Sequence, residues 1–182
     1  MNDPGGNIIL VGYRGTGKST LGKRLADTLN MNFIDMDRIL IQEAGCSISR
    51  IVEELGWPYF RELEKKLLLK LARATGQVIA TGGGVVLDVE NRTLLSKMGI
   101  VIWLKADPDA IVARLHQDKE GFAQRPSFSD RNLWEETTAV LKERTPLYKG
   151  VREVEVDTSN LDVAECVDEI VRIIHKKRKV HP

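Results

Sequence analysis

Gly12-Tyr13-Arg14-Gly15-Thr16-Gly17-Lys18-Ser19-Thr20 decides how this chain folds, because it satisfies the pattern G-x-x-x-x-G-K-[ST] with an extra glycine at Gly15. Such a loop binds phosphate. Its glycines let polyphosphate oxygens approach backbone N–H groups, Lys18 reaches the β- and γ-phosphates, and the Ser19 hydroxyl can ligate Mg²⁺. Gly12, Arg14, Gly15, Thr16, Gly17, Lys18, Ser19 and Thr20 are therefore the expected nucleotide contacts within the loop. The flanks carry the same message. Ile8-Ile9-Leu10-Val11 reads as a buried strand, and Leu21, Leu25 and Leu29 recur at helical spacing. Strand, glycine loop and helix follow in the required order, a context that a chance glycine turn lacks.

Working outward, apolar strand-like runs alternate with helical patterns along the chain. Asn7–Val11, Asn32–Asp35, Gln77–Thr81, Ile100–Leu104 and Glu153–Asp157 are the strand candidates. Five strands with intervening helices predict an α/β fold built on a parallel sheet. Ile48, Ile51, Val52 and Leu55 form one helical stripe and Leu63, Leu67, Leu68 and Leu71 another, with Gly56-Trp57-Pro58 breaking them apart. Asp162-Val-Ala-Glu165 has the form of a capping box opening a last amphipathic helix from Val163 to Ile174. Residues 116–132 interrupt the pattern: they are polar, aperiodic and punctuated by Gly121 and Pro126, which predicts a mobile lid.

Composition narrows the setting. The 182 residues suit one domain, expected to span 1–182, and monomer is the default state. Lys plus Arg number 27 against 26 Asp plus Glu, so the overall charge offers no case for nucleic acid or a membrane surface as partner. No apolar run approaches a membrane span and Met1–Gly6 lacks the character of a signal peptide, which together predict a cytoplasmic protein. Cys46 and Cys166 have neither metal-ligand spacing nor further partners and read as reduced thiols. Lys176-Lys-Arg-Lys179 reads as the solvated cationic end of the last helix rather than a nucleic-acid patch.

Several short motifs suggest what the phosphate loop serves. No Asn-Lys-x-Asp guanine-reading motif occurs. Asp35 and Asp37 stand at the C-terminal end of the second strand candidate, the edge where open α/β sheets bind ligands. Asp35 can hold Mg²⁺ through water and Asp37 can accept a hydrogen bond from a substrate hydroxyl; alternatively Asp37 caps the following helix. Arg61 and Glu64 lie three apart on a helix, so the carboxylate can orient the guanidinium. Gly82-Gly83-Gly84 after the third strand suggests close backbone approach by a ligand. Arg125 lies in the expected lid, where a guanidinium can close over a transferring phosphate, and Arg144 supplies another cation for an anion.

Taken in order, GxxGxGKST at Gly12–Thr20, D-x-D at Asp35–Asp37, F-R-x-x-E at Phe60–Glu64, G-G-G at Gly82–Gly84, R-P at Arg125–Pro126 and R-x-P-L-Y at Arg144–Tyr148 resemble the shikimate kinase family over nearly the whole chain. The resemblance implies a nucleoside-monophosphate-kinase-like fold with sheet order 2-3-1-4-5, and transfer of the γ-phosphoryl of ATP to the 3-hydroxyl of shikimate. It implies that Arg61, Gly83, Gly84 and Arg144 hold the acceptor's carboxylate and ring, and that Asp37 holds its hydroxyls. Lys18, Mg²⁺ and Arg125 would share the charge on the transferred group, and Arg114 resembles the family's adenine-stacking arginine. The stretch Gly150-Val-Arg152 departs from the more usual acidic, alanine-containing segment. A gluconate-type or adenylate-type kinase is the nearest rival, and a catalytically silent nucleotide-binding regulator is the rival from another class.

Overall fold

The computed structural model describes residues 6–118, 132–160 and 162–180, so Arg125 and most of the expected lid lie outside the described residues. Five parallel strands, β1 (Asn7–Val11), β2 (Asn32–Asp35), β3 (Gln77–Ala80), β4 (Gly99–Lys105) and β5 (Val154–Asp157), form one sheet in the order β2-β3-β1-β4-β5. Around it stand α1 (Lys18–Leu29), α2 (Met36–Ala44), α3 (Ile48–Leu71), α4 (Val89–Met98), α5 (Pro108–Gln117), α6 (Leu133–Val151) and α7 (Val163–Val180). The expected sheet order and strand number hold.

β1 explains why the sheet is covered on both sides. Its five residues are all buried, and their alternation sends them to two different cores. Ile8 and Leu10 pack with Leu21 and Leu25 of α1 and with Val167 and Ile170 of α7. Ile9 and Val11 pack in the opposite core, which takes in Leu68 of α3, Leu95 of α4 and Tyr148 of α6.

Local chemistry sets the ends of the helices. Ser47 caps α3 by accepting from the Arg50 N–H at 3.2 Å, and Asp88 caps α4 by accepting from the Glu90 and Asn91 N–H groups at 2.6 and 3.1 Å. The two stripes expected between the second and third strands are one assigned helix, α3, with a kink at Gly56 (φ 81°, ψ 163°). Glycine tolerates that left-handed φ, and Pro58 lacks the N–H that would carry the helical ladder across the break. The capping box forms as expected: the Asp162 N–H donates to Glu165 Oε2 at 3.0 Å and the Glu165 N–H to Asp162 Oδ1 at 2.8 Å. α7 runs on to Val180 rather than ending at Ile174, since nothing in between breaks a helix.

Two boundaries matter for the site. β3 ends at Ala80 rather than Thr81, and Thr81 directs both its N–H (3.1 Å) and its hydroxyl (2.9 Å) to the Leu10 carbonyl. That pins the start of the glycine run beside the phosphate loop. Every candidate residue on a strand end or just beyond one, from Gly12 and Asp35 to Gly83, therefore lies along the C-terminal edge of the sheet.

Candidate active site

The phosphate loop joins β1 to α1. Gly17 stands at the N-cap with φ 89°, a left-handed conformation that lets the loop swing into the helix without a side chain in the way. Lys18 Nζ folds back onto the loop, donating to the Gly12 carbonyl at 2.9 Å and the Tyr13 carbonyl at 2.8 Å. The Thr16 hydroxyl donates to the Tyr13 carbonyl at 2.8 Å. These bonds hold the loop curled around its own N–H groups, which makes an anion cradle at a helix N-terminus.

Beside the cradle, the Ser19 hydroxyl donates to Asp35 Oδ2 at 2.6 Å, while Asp35 Oδ1 accepts from the Arg38 N–H at 3.2 Å. Asp35, not Asp37, is thus the cap of α2, which leaves the Asp37 carboxylate to a different purpose. The opening here is lined by Gly15, Lys18, Ser19, Asp35, Asp37 and Arg114, among others. Arg114 reaches across from α5: Nη1 donates to the Gly15 carbonyl at 3.3 Å and to Thr158 Oγ1 at 3.1 Å, and Nη2 donates to the Thr158 carbonyl. Thr158 in turn bonds the Thr16 carbonyl at 3.2 Å, so α5, β5 and the phosphate loop are stitched together.

A second, adjoining pocket is lined by Asp37, Trp57, Arg61, Glu64, Gly82–Gly84 and Arg144, with Tyr13, Arg14, Ile48 and Phe60. Arg61 Nη1 donates to Glu64 Oε2 at 2.7 Å, and its guanidinium lies 5.1 Å from the Trp57 ring centroid and 5.3 Å from that of Phe60. Carboxylate and aromatic faces fix the fork from two sides. Glu64 is wholly buried. Burial drives its carboxyl above the usual carboxylate range, against the opposing pull of Arg61. From α6, Arg144 Nη1 donates to the Gly83 carbonyl at 3.2 Å and the Tyr148 hydroxyl donates to the same oxygen. Burial holds the Tyr148 phenol well above its ordinary range, which keeps it a donor.

Two of the three glycines in the run, Gly82 and Gly84, are glycine for steric reasons. A Cβ on Gly84 would sit inside the Arg61 guanidinium, and one on Gly82 would collide with Glu64 Oε1. Arg61, Gly83, Gly84 and Arg144, grouped by the family resemblance, line a single pocket together with Asp37. Asp37 also lines the phosphate-side opening, so it stands at the junction of the two. Arg14, expected among the nucleotide contacts, lines the second pocket and is paired with Glu136 of α6. Sequence reading did not find Glu136, Tyr13 or Thr158. The only advance signal was a charged residue at position 14 inside a glycine loop, where a buried guanidinium demands a carboxylate somewhere in the fold.

Residues 14–175 match the family model for shikimate kinase. The chain belongs to the shikimate kinase family. It is 41% identical to the shikimate kinase of Syntrophus aciditrophicus, across 94% of this chain and 92% of that protein. With the shikimate kinase of Caldanaerobacter subterraneus it shares 40% identity, covering 91% and 94% of the two. Among solved structures, the shikimate kinase from Acinetobacter baumannii in complex with shikimate superposes with a TM-score of 0.89 at 32% identity, covering 95% of this chain and 94% of that one. A gluconokinase from Sinorhizobium meliloti shares the fold at a TM-score of 0.60 and 20% identity.

Proposed function

We infer that the protein is a kinase that transfers the γ-phosphoryl group of ATP to the 3-hydroxyl of shikimate, giving shikimate 3-phosphate and ADP. One observation supports this reading above the others: Asp37 lines both the opening at the phosphate loop and the pocket that holds Arg61 and Arg144. A hydroxyl placed between those arginines and the loop would present its proton to Asp37 and its oxygen to the γ-phosphorus. As the new O–P bond forms, the bond from the γ-phosphorus to the β,γ-bridging oxygen breaks and the hydroxyl proton passes towards Asp37.

The pocket's chemistry favours a small polyol acid. Two arginines can share one carboxylate, which a neutral sugar would leave unmatched. The carbonyl of Gly83 is committed to Arg144 and Tyr148, which steadies Arg144 for that task. On the other side, Lys18 would exchange its bonds to the Gly12 and Tyr13 carbonyls for phosphate oxygens, and Arg114 would lie against the adenine side of the nucleotide. In this reading the kinase domain spans the chain, works with small molecules rather than nucleic acid or membrane, and resides in the cytoplasm. Among the described residues no helix is long and apolar enough to cross a membrane.

The Ser19 hydroxyl and the Asp35 carboxylate, 2.6 Å apart at the mouth of the loop, are hard oxygen donors that suit Mg²⁺. No group of three or more His, Cys, Asp or Glu placed to hold a metal ion occurs among the described residues, and Mg²⁺ in kinases characteristically takes only one or two protein ligands beside waters and phosphates. Ser19 would ligate it directly and Asp35 through water. Held there, the ion would supply positive charge that offsets the negative charge of the transferring phosphoryl group. The test is a coupled assay of ADP release with a panel of acceptors. ADP should appear with shikimate, ATP and Mg²⁺ and cease when any one is omitted. Transfer to gluconate or AMP with none to shikimate would overturn the assignment.

A further inference from the structure

Helix α6 turns one stripe inwards: Glu136, Val140, Arg144 and Tyr148, each four residues from the next, are all buried. The stripe grips both halves of the site. At its start, Glu136 Oε1 accepts from Arg14 Nη2 of the phosphate loop, with both side chains almost fully buried. Eight residues further on, a rise of about 12 Å, Arg144 and then Tyr148 hold the Gly83 carbonyl of the glycine run. The two gripped segments also run close to each other: a Cβ added at Gly83 would come within 3.5 Å of the Arg14 backbone nitrogen and 3.4 Å of the Gly12 carbonyl oxygen.

Arg14 is itself held in place. Its Nε donates to the Tyr13 hydroxyl at 3.2 Å, and its guanidinium lies 5.6 Å from the Tyr13 ring centroid. Tyr13 packs with Val140, Ile111 and Leu115, which seats the pair in a small core of its own between α5, α6 and the loop. An apolar contact alone would let the helix slide. A buried ion pair has one good geometry, because a displaced partner would leave a charge uncompensated away from water.

We propose that Arg14 and Glu136 are positioning residues for phosphoryl transfer: their ion pair fixes the phosphate loop to the same helix that carries Arg144, and so sets the distance between donor phosphate and acceptor hydroxyl. The inference rests on the proposed shikimate phosphorylation. Its consequence is specific. Each ligand by itself still finds its contacts when the pair is lost, because Lys18 and Ser19 on one side and Arg61 and Arg144 on the other are intact. What is lost is their mutual alignment, and a misplacement near 1 Å costs on the order of a hundredfold in rate.

The test is a double-mutant cycle on the full chain with Arg14→Met, Glu136→Gln and the double variant. For each, kcat is measured by ADP release, and the Kd of shikimate and of a non-hydrolysable ATP analogue are measured separately by calorimetry. Each single substitution should lower kcat by about tenfold or more while both Kd values stay within about threefold, and the double variant should be no worse than the poorer single, because the two residues act as a unit. A single variant with kcat within about twofold of the parent, equal losses in kcat and in binding, or losses that multiply in the double would each overturn the proposal. If Arg14→Met does not fold, Arg14→Lys is measured in the same way: it keeps the charge but loses the planar fork, and an unchanged kcat there overturns the proposal too. The parent separates the two levels. A parent without shikimate-dependent ADP release refutes the function, whereas an active parent with normal variants refutes only the positioning role.

Discussion

On the proposed function, the two openings at the sheet edge solve recognition in different ways. On the phosphate side, the cradle is backbone: Gly12, Gly15 and Gly17 shape it, and Lys18 and Ser19 stand at its rim already bonded to the loop and to Asp35. On the acceptor side, side chains do the shaping, with Arg61 clamped by Glu64 and two aromatic rings and Arg144 set against Gly83. The acceptor-side pocket is much the smaller of the two, with a cavity of about 50 Å³ against about 410 Å³ on the phosphate side, the order expected for a small acid beside a nucleotide. A polyphosphate looks alike in every kinase and can be read by N–H groups, whereas one particular acid must be told from others by buried charges. Variants on the two sides should therefore fail differently.

The largest effect is expected at Lys18. Lys18→Ala should lower kcat by a hundredfold or more, on the order of one preorganised charge contact. Because Nζ also ties the Gly12 and Tyr13 carbonyls together, the same variant should show a measurable change in melting temperature in the absence of ligands. Near-normal ADP release would refute the role of the loop.

Next comes Arg144. Arg144→Lys keeps the charge but loses the planar fork, and it should raise the KM for shikimate by roughly tenfold or more while leaving the KM for ATP nearly unchanged. If both constants rise together, the division between a backbone-read and a side-chain-read opening is wrong.

Glu64 sharpens the comparison through pH. Its carboxyl is raised by burial, so between the ordinary carboxylate range and its raised value the folded chain holds a proton that the unfolded chain has lost. Its contribution to stability is present at low pH and is lost as pH rises through the folded value. The stability of Glu64→Gln minus that of the parent, from urea denaturation across the acid-to-neutral range, should therefore grow with pH. A difference that shrinks with rising pH would show that the Arg61 pairing, not desolvation, dominates.

The smallest effect is a control away from both openings. Asp88 caps α4 and also faces Lys65 at 3.6 Å. Although its slight burial works the other way, its bonds from the Asn91 and Glu90 N–H groups and the nearby Lys65 hold its carboxyl below the usual range. Asp88→Ala should cost about 1 kcal/mol, or about 3 °C in Tm for a chain of this size, with kcat and both KM values unaltered. A kinetic change would mean that α4 communicates with the site.

The sequence alone determined whatever rests on neighbours along the chain. Apolar runs marked the five strands and helical spacing marked α1, α3 and α7, the glycine loop announced phosphate, and Arg61 with Glu64 could be paired because three residues of helix bring them together. The capping box at Asp162 and the break at Gly56 are equally local. Folding alone decided what rests on contacts between distant segments. Whether Asp35 or Asp37 caps α2 depended on the backbone path at the end of β2, and only the folded chain puts Asp37 at the junction of the two openings. Arg14 meets Glu136 across 122 residues, Arg144 meets Gly83 across 61, and Arg114 meets Thr158 across 44. No periodicity records such pairs. A buried charge or carbonyl requires a partner, but which residue answers is fixed by how the strands and helices pack, and that packing is a property of the whole chain.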